Sequence, residues 1–364
     1  MPIKILVVDD SVLYRRLAFE VAASLPDIEV VGTAPNGDLA LRKLRQNPVD
    51  LVLCDVHMPE KDGVETLAEI QREFSDTLVV MMSGISTRSA SITIKALQMG
   101  ALDFIRKPDG ATPEENRRQL HDDLNNVLRH VRTKMNTRRI LRRDEGESKA
   151  AAPPPSRPER IEPVVAIAPI PRSFGVLTIG VSTGGPEALN KLIPQLPAGL
   201  PVPVLLVQHM PAHFTKSLAE SLDKKSALKV VEGEDGQSVQ HGIVYIAPGG
   251  RHMTVVHKQG RVRIALNDGP PENSCRPAVD VLFRSVANVY GSAGIMSCVL
   301  TGMGSDGAKG MRVLKRRGCY CVTQSDSSCV VYGMPRAVDE AGLSDKSLPI
   351  ESIAAEIGMK LHCR

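Results

Sequence analysis

The stretch at residues 176–190 constrains the fold more than any other part of the chain. Residues 176–179 are apolar and bounded by glycines, which predicts a buried strand of a parallel sheet. A match to G-x-S-x-G follows, centred on Ser182, and Pro186 suits the first turn of a helix after it. Such a sharp turn presents the Ser182 hydroxyl at the carboxyl end of the sheet. Ser182 is therefore a candidate nucleophile, although a glycine-rich turn with an N-capping serine fits the same pattern.

Size and composition limit the class of protein. The 364 residues, of which 42% are hydrophobic and 24% charged, are typical of two globular domains, and no apolar run is long enough to span a bilayer. The sequence begins MPIKILVVDD, which predicts no secretory signal. Seven cysteines without a C-x-x-C pair indicate a reducing cytoplasm. The net charge of +4 is too small to imply a polyanionic partner.

Acidic residues follow two apolar runs of the N-terminal part. Residues 4–8 lead into Asp9 and Asp10, and residues 51–54 lead into Asp55. Because the carboxyl ends of parallel strands meet at one edge of a sheet, we expect the three carboxylates to lie together there. Adjacent carboxylates repel each other unless a cation sits between them, and hard oxygen ligands suit Mg²⁺ or Mn²⁺.

Further apolar runs at residues 29–34, 78–82 and 102–106 complete five βα units, and Ser83 and Lys107 follow the last two. Taken singly, these acids are typical of helix caps, and Lys107 of a surface charge. Together they form an acidic pocket beside a hydroxyl and a cation, which is what phosphorylation of Asp55 requires.

Residues 1–125 resemble the receiver domains of response regulators, with the D-x-x-M-P motif at residues 55–59 and the K-P pair at Lys107. The resemblance implies a five-stranded, flavodoxin-like parallel sheet, phosphotransfer from a chemotaxis-type histidine kinase and a requirement for Mg²⁺ in that step. It also implies that Phe104 occupies the aromatic switch position. A glutamate is usual in this family where His57 stands, so His57 departs from the pattern at the residue that follows the phosphorylation site by two.

Residues 126–172 are interpreted as a linker. Residues 130–143 are strongly basic, and residues 150–171 are rich in proline and alanine, which predicts a semi-rigid spacer. The basic part is typical of a solvated helix end. No helix-turn-helix pattern follows, and aromatic residues make up only 3% of the chain, so we expect no nucleic-acid partner.

The second domain is assigned to residues 173–364. Residues 202–207 predict a strand that leads into the Q-H-M-P motif and places His209 just past its end. His209 and His213 have the spacing of metal ligands on a helix, but Pro211 between them disfavours a regular helix and a metal site. Residues 242–266 predict β-rich structure, in which His252 follows a turn and either lines a pocket or caps the turn.

A rival interpretation comes from Gly302-x-Gly304-x-x-Gly307, which follows a predicted strand and precedes a helix. This is the dinucleotide fingerprint, with Asp326 about twenty residues further on, and it indicates an NAD-dependent oxidoreductase. The objection is Asp306, a carboxylate inside the loop that would have to hold a pyrophosphate. Two like charges roughly 4 Å apart cost about 1 kcal/mol in water and more when partly buried. The same carboxylate is well suited to accept a histidine N–H.

Ser182, His209 and Asp306 each follow a predicted strand of one sheet, so the sheet edge can assemble a serine–histidine–aspartate triad. With a receiver in front, G-x-S-T-G-G-P, Q-H-M-P and T-G-M-G-x-D-G resemble the CheB family of chemotaxis protein-glutamate methylesterases. The resemblance implies those catalytic roles, a mostly parallel Rossmann-like catalytic domain with a β-hairpin, and no cofactor for the ester chemistry. For the oxyanion we expect the amide of Met303, with Thr183 near it.

The family further implies hydrolysis of glutamyl methyl esters on chemoreceptor cytoplasmic helices, with release of methanol, and in many members deamidation of receptor glutamines. It implies no membrane insertion of the enzyme itself, and an unphosphorylated receiver that covers the catalytic edge. Arg276 and His252 are candidate contacts to the receptor. A histidine is usual in this family where Cys275 stands, so Cys275 also departs from the pattern. A receptor-binding scaffold without enzymatic activity stays open as the non-enzymatic alternative.

Overall fold

The computed structural model describes residues 2–84, 86–144 and 168–362, with side chains given up to residue 135 and again from residue 168. The Pro/Ala-rich part of the predicted linker therefore lies almost wholly outside the described residues. The chain forms two α/β units, each built on its own parallel sheet.

The first unit alternates strands and helices. Its elements are β1 (Ile3–Val8), α1 (Val12–Ala23), β2 (Ile28–Ala34), α2 (Gly37–Gln46), β3 (Leu51–Asp55), α3 (Gly63–Glu73), β4 (Leu78–Ser83), α4 (Thr87–Gln98), β5 (Asp103–Arg106) and α5 (Pro113–Asp144). The strands pair in parallel in the order β2-β1-β3-β4-β5. This confirms the predicted five-stranded receiver sheet. Every residue of β3 and β4 is buried, because helices cover both faces, and this explains their continuous apolar runs.

Helix α5 runs through the boundary predicted at residue 125 and continues to Asp144. Residues 114–144 contain no glycine or proline and are rich in good helix formers, so nothing in the local sequence ends the helix earlier. The first part of the predicted linker is thus helical. Its residue His130 is half-buried against the second unit.

The second unit contains nine strands and six helices among the described residues. They are β6 (Val176–Val181), α6 (Gly185–Leu192), β7 (Val204–Gln208), α7 (Phe214–Asp223), β8 (Lys229–Glu232), β9 (Ile243–Ile246), β10 (His252–Lys258), β11 (Arg261–Asn267), α8 (Val279–Tyr290), β12 (Ile295–Val299), α9 (Ala308–Lys315), β13 (Tyr320–Gln324), α10 (Met334–Asp339), β14 (Lys346–Leu348) and α11 (Ile350–Lys360). Seven strands form one sheet in the order β14-β13-β12-β6-β7-β9-β8, and all of its pairings are parallel. Strands β10 and β11 form the predicted antiparallel hairpin.

The order of strands in the larger sheet places β6 between β12 and β7. The chain leaves β6 toward β7 on one side and returns to β12 on the other, so the strand order switches direction beside β6. Open α/β sheets bind their ligands in the crevice at such a switch point, outside the carboxyl ends of the strands. The topology therefore favours a site at the end of β6, where Ser182 lies.

The two units pack against each other through helices α4 and α7. The Phe104 ring lies on the Phe214 ring with 4.4 Å between centroids. Gln98 Oε1 accepts hydrogen bonds from Ser221 Oγ (2.9 Å) and Lys225 Nζ (2.8 Å). The first unit is thereby held at the edge of the larger sheet where its strands end.

Membrane-spanning helices are not found in the described part of the chain, because none of its helices is both long and apolar enough.

Helices α8 and α9 pack so closely that a glycine of α9 lies against backbone and Cβ atoms of α8. A Cβ atom added at Gly310 of α9 would lie 2.6 Å from Phe283 Cβ and 3.1 Å from Asp280 Cα, both on α8. We expect Gly310→Ala to lower the free energy of unfolding by about 1–3 kcal/mol, because backbone atoms cannot move aside as a flexible side chain would. Urea-induced unfolding of the full chain measures this change.

Gly358 of α11 is a matched control, since a Cβ atom there meets nothing within 4 Å. Gly358→Ala should leave the stability unchanged or raise it by up to about 1 kcal/mol, because alanine favours the helix more than glycine does. Equal stability of both variants and the wild type would contradict the close packing of α8 on α9.

Candidate functional sites

The carboxyl ends of β6, β7 and β12 form one rim of the larger sheet. Val181 is paired with Gln208, and Gly180 with Val299, so the three strands end side by side. The backbone N–H of Ser182 donates to Thr301 O (3.0 Å), and that of His209 donates to Val181 O (3.1 Å). These bonds extend the sheet by one residue and place Ser182 and His209 on adjacent turns.

Asp306 reaches this rim from the loop after β12. His209 Nε2 donates to Asp306 Oδ2 at 2.7 Å, and the side chains are 11% and 2% exposed. Ser182 is partly exposed, and its hydroxyl has no hydrogen-bond partner among the residues that the structure describes. The rim thus brings the imidazole and the carboxylate into contact and places the hydroxyl on the neighbouring strand end without a bond to His209.

The Asp306 carboxylate is held by donors from several segments. It accepts the backbone N–H groups of Val279 (2.7 Å), Asp280 (3.0 Å) and Gly307 (3.0 Å), and the Asn273 amide (2.8 Å). Burial raises the pKa of Asp306, but the His209 contact and the backbone donors together lower it further than burial raises it. The carboxylate is therefore charged at neutral pH and fixes one nitrogen of the imidazole.

His209 is charged more readily than an ordinary histidine. Burial lowers its pKa, but Asp306 and then Cys275 outweigh burial and raise the pKa to about 9. Cys275 Sγ lies 3.5 Å from His209 Nδ1, on the side of the ring opposite the Asp306 bond. An environment that stabilises an imidazolium is what a general base requires once it has taken a proton.

Gln208, to which the sequence assigns no role, links the turn at Ser182 to the turn at His209. Its Nε2 donates to the main-chain oxygens of Ser182 (2.9 Å) and His209 (3.1 Å), and the side chain is buried. A polar residue at the end of an otherwise apolar strand was the available signal.

The backbone after the nucleophile is left-handed at Gly184, where φ is 77°. A Cβ atom there would also lie 2.4 Å from Val330 Cβ, so the sharp turn requires glycine.

The predicted oxyanion donors lie on the same rim. The loop that carries Met303 follows Gly302, whose N–H donates to Val331 O; the Met303 N–H has no acceptor within the described part of the chain. The Thr183 hydroxyl lies 3.2 Å from His130 Nδ1, a residue of α5. Met303 thus has an uncommitted amide, whereas Thr183 is engaged with the first unit.

Two of the three glycine amides in the glycine-rich loop are already bonded within the protein. Gly302 N–H is committed to Val331 O, and Gly307 N–H lies 3.0 Å from both Asp280 Oδ1 and Asp306 Oδ1. Two carboxylates therefore occupy the place that a pyrophosphate would take, which removes the basis for the NAD interpretation.

The other predicted contacts lie outside the rim. His252 is only 2% exposed, and its Nε2 donates to Pro270 O (3.0 Å) while its Nδ1 accepts from Ala278 N (3.2 Å). Both nitrogens are therefore used to hold a loop, and the structure does not support the predicted receptor contact for His252. Arg276 is exposed, with its guanidinium bonded to the carbonyls of Asp268 and Gly269 at 3.0 Å each, and its predicted role stays a prediction.

In the first unit, carboxylate oxygens of Asp9, Asp10 and Asp55 lie within 4.8 Å of one another, the only such cluster of potential metal ligands in residues 2–84, 86–135 and 168–362. Lys107 Nζ lies 2.7 Å from Asp9 Oδ2 and 2.6 Å from Asp55 Oδ2. Apart from that ion pair the buried Asp9 Oδ2 makes no hydrogen bond. Ser83 is buried beside this cluster, and its hydroxyl donates to Gly84 O and accepts from Thr93.

The pKa of Asp55 is raised to about 6, first by burial and then by the charge of Asp9, against the lowering effect of Lys107. Asp9 and Asp55 share the single ammonium group of Lys107, so the cluster of three carboxylates carries more negative charge than that group neutralises. A cation bound here would therefore gain electrostatic free energy.

The catalytic rim faces the first unit across the contact between the units. A cavity of about 140 Å³ lies there, lined by Phe104 and His130 of the first unit and by Ser182, Thr183 and His209 of the second. His130 Nδ1 also lies 2.8 Å from Asp103 Oδ2. The candidate nucleophile thus opens into a small space that the first unit covers.

The bond to Asp306 is expected to raise the pKa of His209. In Asp306→Asn the amide no longer carries the charge that stabilises the imidazolium, and we expect the pKa of His209 to fall by about one to three units. An NMR titration of the His209 ring proton in the full chain measures it. The exposed His257 is the internal control, because its resonance should titrate identically in both proteins. An unchanged titration of His209 would show that the 2.7 Å contact does not set its charge.

Comparison with known proteins places both units. The family model of the response regulator receiver domain matches residues 5–114, and the model of the CheB methylesterase matches residues 177–357. A crystal structure of the Thermotoga maritima CheB methylesterase catalytic domain is 43% identical and covers 51% of this chain and 97% of that domain, with a TM-score of 0.49. The response regulator domain of Thermotoga maritima CheB is 36% identical over 37% of this chain and 98% of that domain, with a TM-score of 0.33.

Two relatives that match nearly the full chain have the same protein name. A protein-glutamate methylesterase/protein-glutamine glutaminase of Desulfotalea psychrophila is 42% identical over 98% of this chain and 97% of its own length. A second, from Methanosarcina acetivorans, is 43% identical over 98% of this chain and 99% of its own length. With a receiver unit in front of a rim that assembles Ser182, His209 and Asp306, this chain belongs to the CheB family of protein-glutamate methylesterases/protein-glutamine glutaminases.

Proposed function

We propose that this chain is a serine hydrolase that demethylates glutamate methyl esters on the cytoplasmic helices of chemoreceptors, releases methanol, and deamidates receptor glutamines. Its relatives are named for both activities. The observation that carries the proposal is the 2.7 Å bond between His209 and Asp306 on the strand end next to Ser182. The outcome of the chemistry is sensory adaptation.

The reaction uses the rim as follows. Ser182 Oγ attacks the ester carbonyl, and His209 Nδ1 takes its proton, since Nε2 is already bonded to Asp306. The Met303 N–H stabilises the developing oxyanion, and one such donor typically lowers a barrier by roughly 3 kcal/mol. The imidazolium then protonates the leaving methoxide, giving methanol. Water, deprotonated by the same nitrogen, releases the glutamate; with a glutamine substrate the leaving group is ammonia.

Ser182→Ala tests this chemistry. The variant lacks the nucleophile, so we expect methanol release from a methylated receptor fragment to fall by at least about 10³-fold. Ser292→Ala is the matched control, because Ser292 is exposed between α8 and β12, at the opposite edge of the sheet.

Two outcomes would contradict the proposal. Methanol release that survives Ser182→Ala would exclude the triad, and wild type without turnover would favour the receptor-binding scaffold. In the second case the same fragment should still bind the chain in a pull-down.

We further propose that a histidine kinase phosphorylates Asp55. Asp9, Asp10 and Asp55 fit a Mg²⁺ ion, because three carboxylates converge and the buried Asp9 Oδ2 lacks a hydrogen bond. When bound, the ion would offset the charge of the transferred phosphoryl group. Lys107 contacts Asp55, and Ser83 ends β4, the strand beside β3, so both are proposed to hold the phosphoryl oxygens of the product.

We propose that phosphorylation moves the first unit away from the esterase rim, which it covers in the structure. The cavity in front of Ser182 is only about 140 Å³ and is bounded by Phe104 and His130, which leaves no path for a receptor helix about 10 Å wide. A charge change at Asp55 that weakens the contact between the units would expose the rim.

Lys225→Ala tests the cover. Lys225 Nζ donates to Gln98 Oε1 across the contact, so its loss should raise the unphosphorylated esterase activity about two- to fivefold, with little effect after treatment with a small phosphodonor and Mg²⁺. Lys229→Ala is the control, because Lys229 pairs with Asp223 on the exposed surface of the same unit. Unphosphorylated activity equal to wild type in Lys225→Ala, or an equal rise in both variants, would count against this contact as part of the cover.

The proposed site of action is the cytoplasm, where the receptor helices and the kinase would meet the enzyme. Six cysteines are free thiols in the described residues, four of them buried, which supports a reducing compartment.

A further inference from the structure

Cys275 lies at the catalytic base without belonging to the serine–histidine–aspartate set. It precedes α8, is partly exposed, and its Sγ lies 3.5 Å from His209 Nδ1. The other partly exposed cysteine of the described residues, Cys329, donates instead to the carbonyl of Gln324. Cys275 is therefore the described cysteine that contacts a group of the proposed mechanism.

The contact involves the nitrogen that the reaction needs. His209 Nε2 is bonded to Asp306, so Nδ1 is left to take the proton of Ser182. In the structure Nδ1 is instead bonded to the Cys275 sulfur, and the Ser182 hydroxyl is without a partner among the described residues. The thiol and the nucleophile thus compete for one lone pair.

The thiol is held at this position by the loop that also holds Asp306. Asn273 Nδ2 donates to Asp306 Oδ1 (2.8 Å) and Asp280 Oδ2 (3.0 Å), and Cys275 is bonded to Glu272 through both its N–H and its carbonyl (2.9 and 3.0 Å). The segment that fixes the carboxylate on one side of the imidazole therefore also presents the sulfur on the other side.

We propose that Cys275 is a positioning residue of the esterase that occupies Nδ1 of His209 and so limits the fraction of the base that is available to Ser182. This inference rests on the proposed hydrolase function and deepens it. When the thiol donates its S–H, the Nδ1 lone pair is used. When the proton passes from sulfur to Nδ1, a thiolate and an imidazolium result, and the base is again unable to accept a proton.

Several charged and titratable groups face His209. Asp306 and Cys275 contact its ring directly, and Asp280 contacts Asp306 through shared donors. Across the cavity lie His130 and Asp103 of the first unit. Asp306 and Cys275 both raise the pKa of His209 against the effect of burial. The negative charge of a sulfur that has given its proton to Nδ1 stabilises the imidazolium, so removing that sulfur lowers the pKa of the base and frees its lone pair.

The experiment is the pH dependence of kcat/KM for methanol release by the full chain, compared among wild type, Cys275→Ala and Cys275→Ser. The reaction needs neutral His209, so activity is lost as pH falls below the pKa of that residue. In Cys275→Ala we expect the acidic limb of the profile to shift to lower pH by about one unit. At pH 7 this shift corresponds to about a tenfold higher kcat/KM. Cys275→Ser keeps a hydroxyl donor that does not ionise. It occupies Nδ1 without stabilising the imidazolium, so its acidic limb should lie no higher than that of Cys275→Ala, with a lower plateau of kcat/KM.

Cys329→Ala is the matched control and should leave the profile unchanged. A kcat/KM that falls equally at all pH values in Cys275→Ala, with the limb in place, would show that Cys275 only supports the fold and would overturn the proposal. The pKa of His209 measured by NMR in Cys275→Ala must fall as well. An unchanged pKa would also overturn the proposal. Failure of the hydrolase function itself is distinguishable, because then wild type releases no methanol or Ser182→Ala releases it undiminished.

Discussion

The second unit is arranged around one buried charge, the carboxylate of Asp306. Removing a carboxylate from water costs several kcal/mol unless hydrogen bonds and an opposite charge compensate it. Here three backbone N–H groups, the Asn273 amide and the His209 imidazole provide that compensation. Because two of the N–H groups, those of Val279 and Asp280, are the first of α8, the N-terminus of that helix must lie against the rim.

This requirement extends to the packing behind the rim. Asp280 is a second buried carboxylate, and it accepts from Asn273, Gly307 and the Gly310 N–H at 2.6 Å. Burial raises the pKa of Asp280, and the charge of Asp306 raises it further. The backbone amides of α9 can reach that carboxylate only if α8 and α9 pack without side chains between them. Gly307 is required by its left-handed backbone and Gly310 by the close approach of α8, so a nucleotide is not needed to account for these two glycines.

The sequence was sufficient to predict which residues follow the strands of each sheet. It therefore predicted the edge of the larger sheet on which Ser182 and His209 lie, and the edge of the receiver sheet on which the aspartates lie. Parallel strands made this possible, since polar residues follow their apolar runs at one edge. Asn273 and Cys275 were not predicted as members of the site, because a loop and tertiary contacts bring them there and no period in the sequence marks them. Gln208 ends an apolar strand within the Q-H-M-P motif, but its bonds to the two turns are visible only in the structure. The glycine fingerprint misled for a related reason: only the structure shows that the Gly302 and Gly307 amides are already bonded. The length of α5 was missed because a basic, proline-free stretch is equally typical of a helix and of a solvated linker.

The proposed regulation depends on how short the path is between the two sites. Lys107 follows β5 and contacts Asp55, while Phe104 within β5 contacts Phe214, and Asp103 at its start contacts His130. One strand of four residues therefore borders both the phosphorylation site and the cavity in front of Ser182. A phosphoryl group adds nearly two negative charges at Asp55, and Lys107 must then redistribute its ion pairs between that group and Asp9. We propose that a small change at the end of β5 alters the packing of Phe104, and through Asp103 that of His130, over the esterase rim.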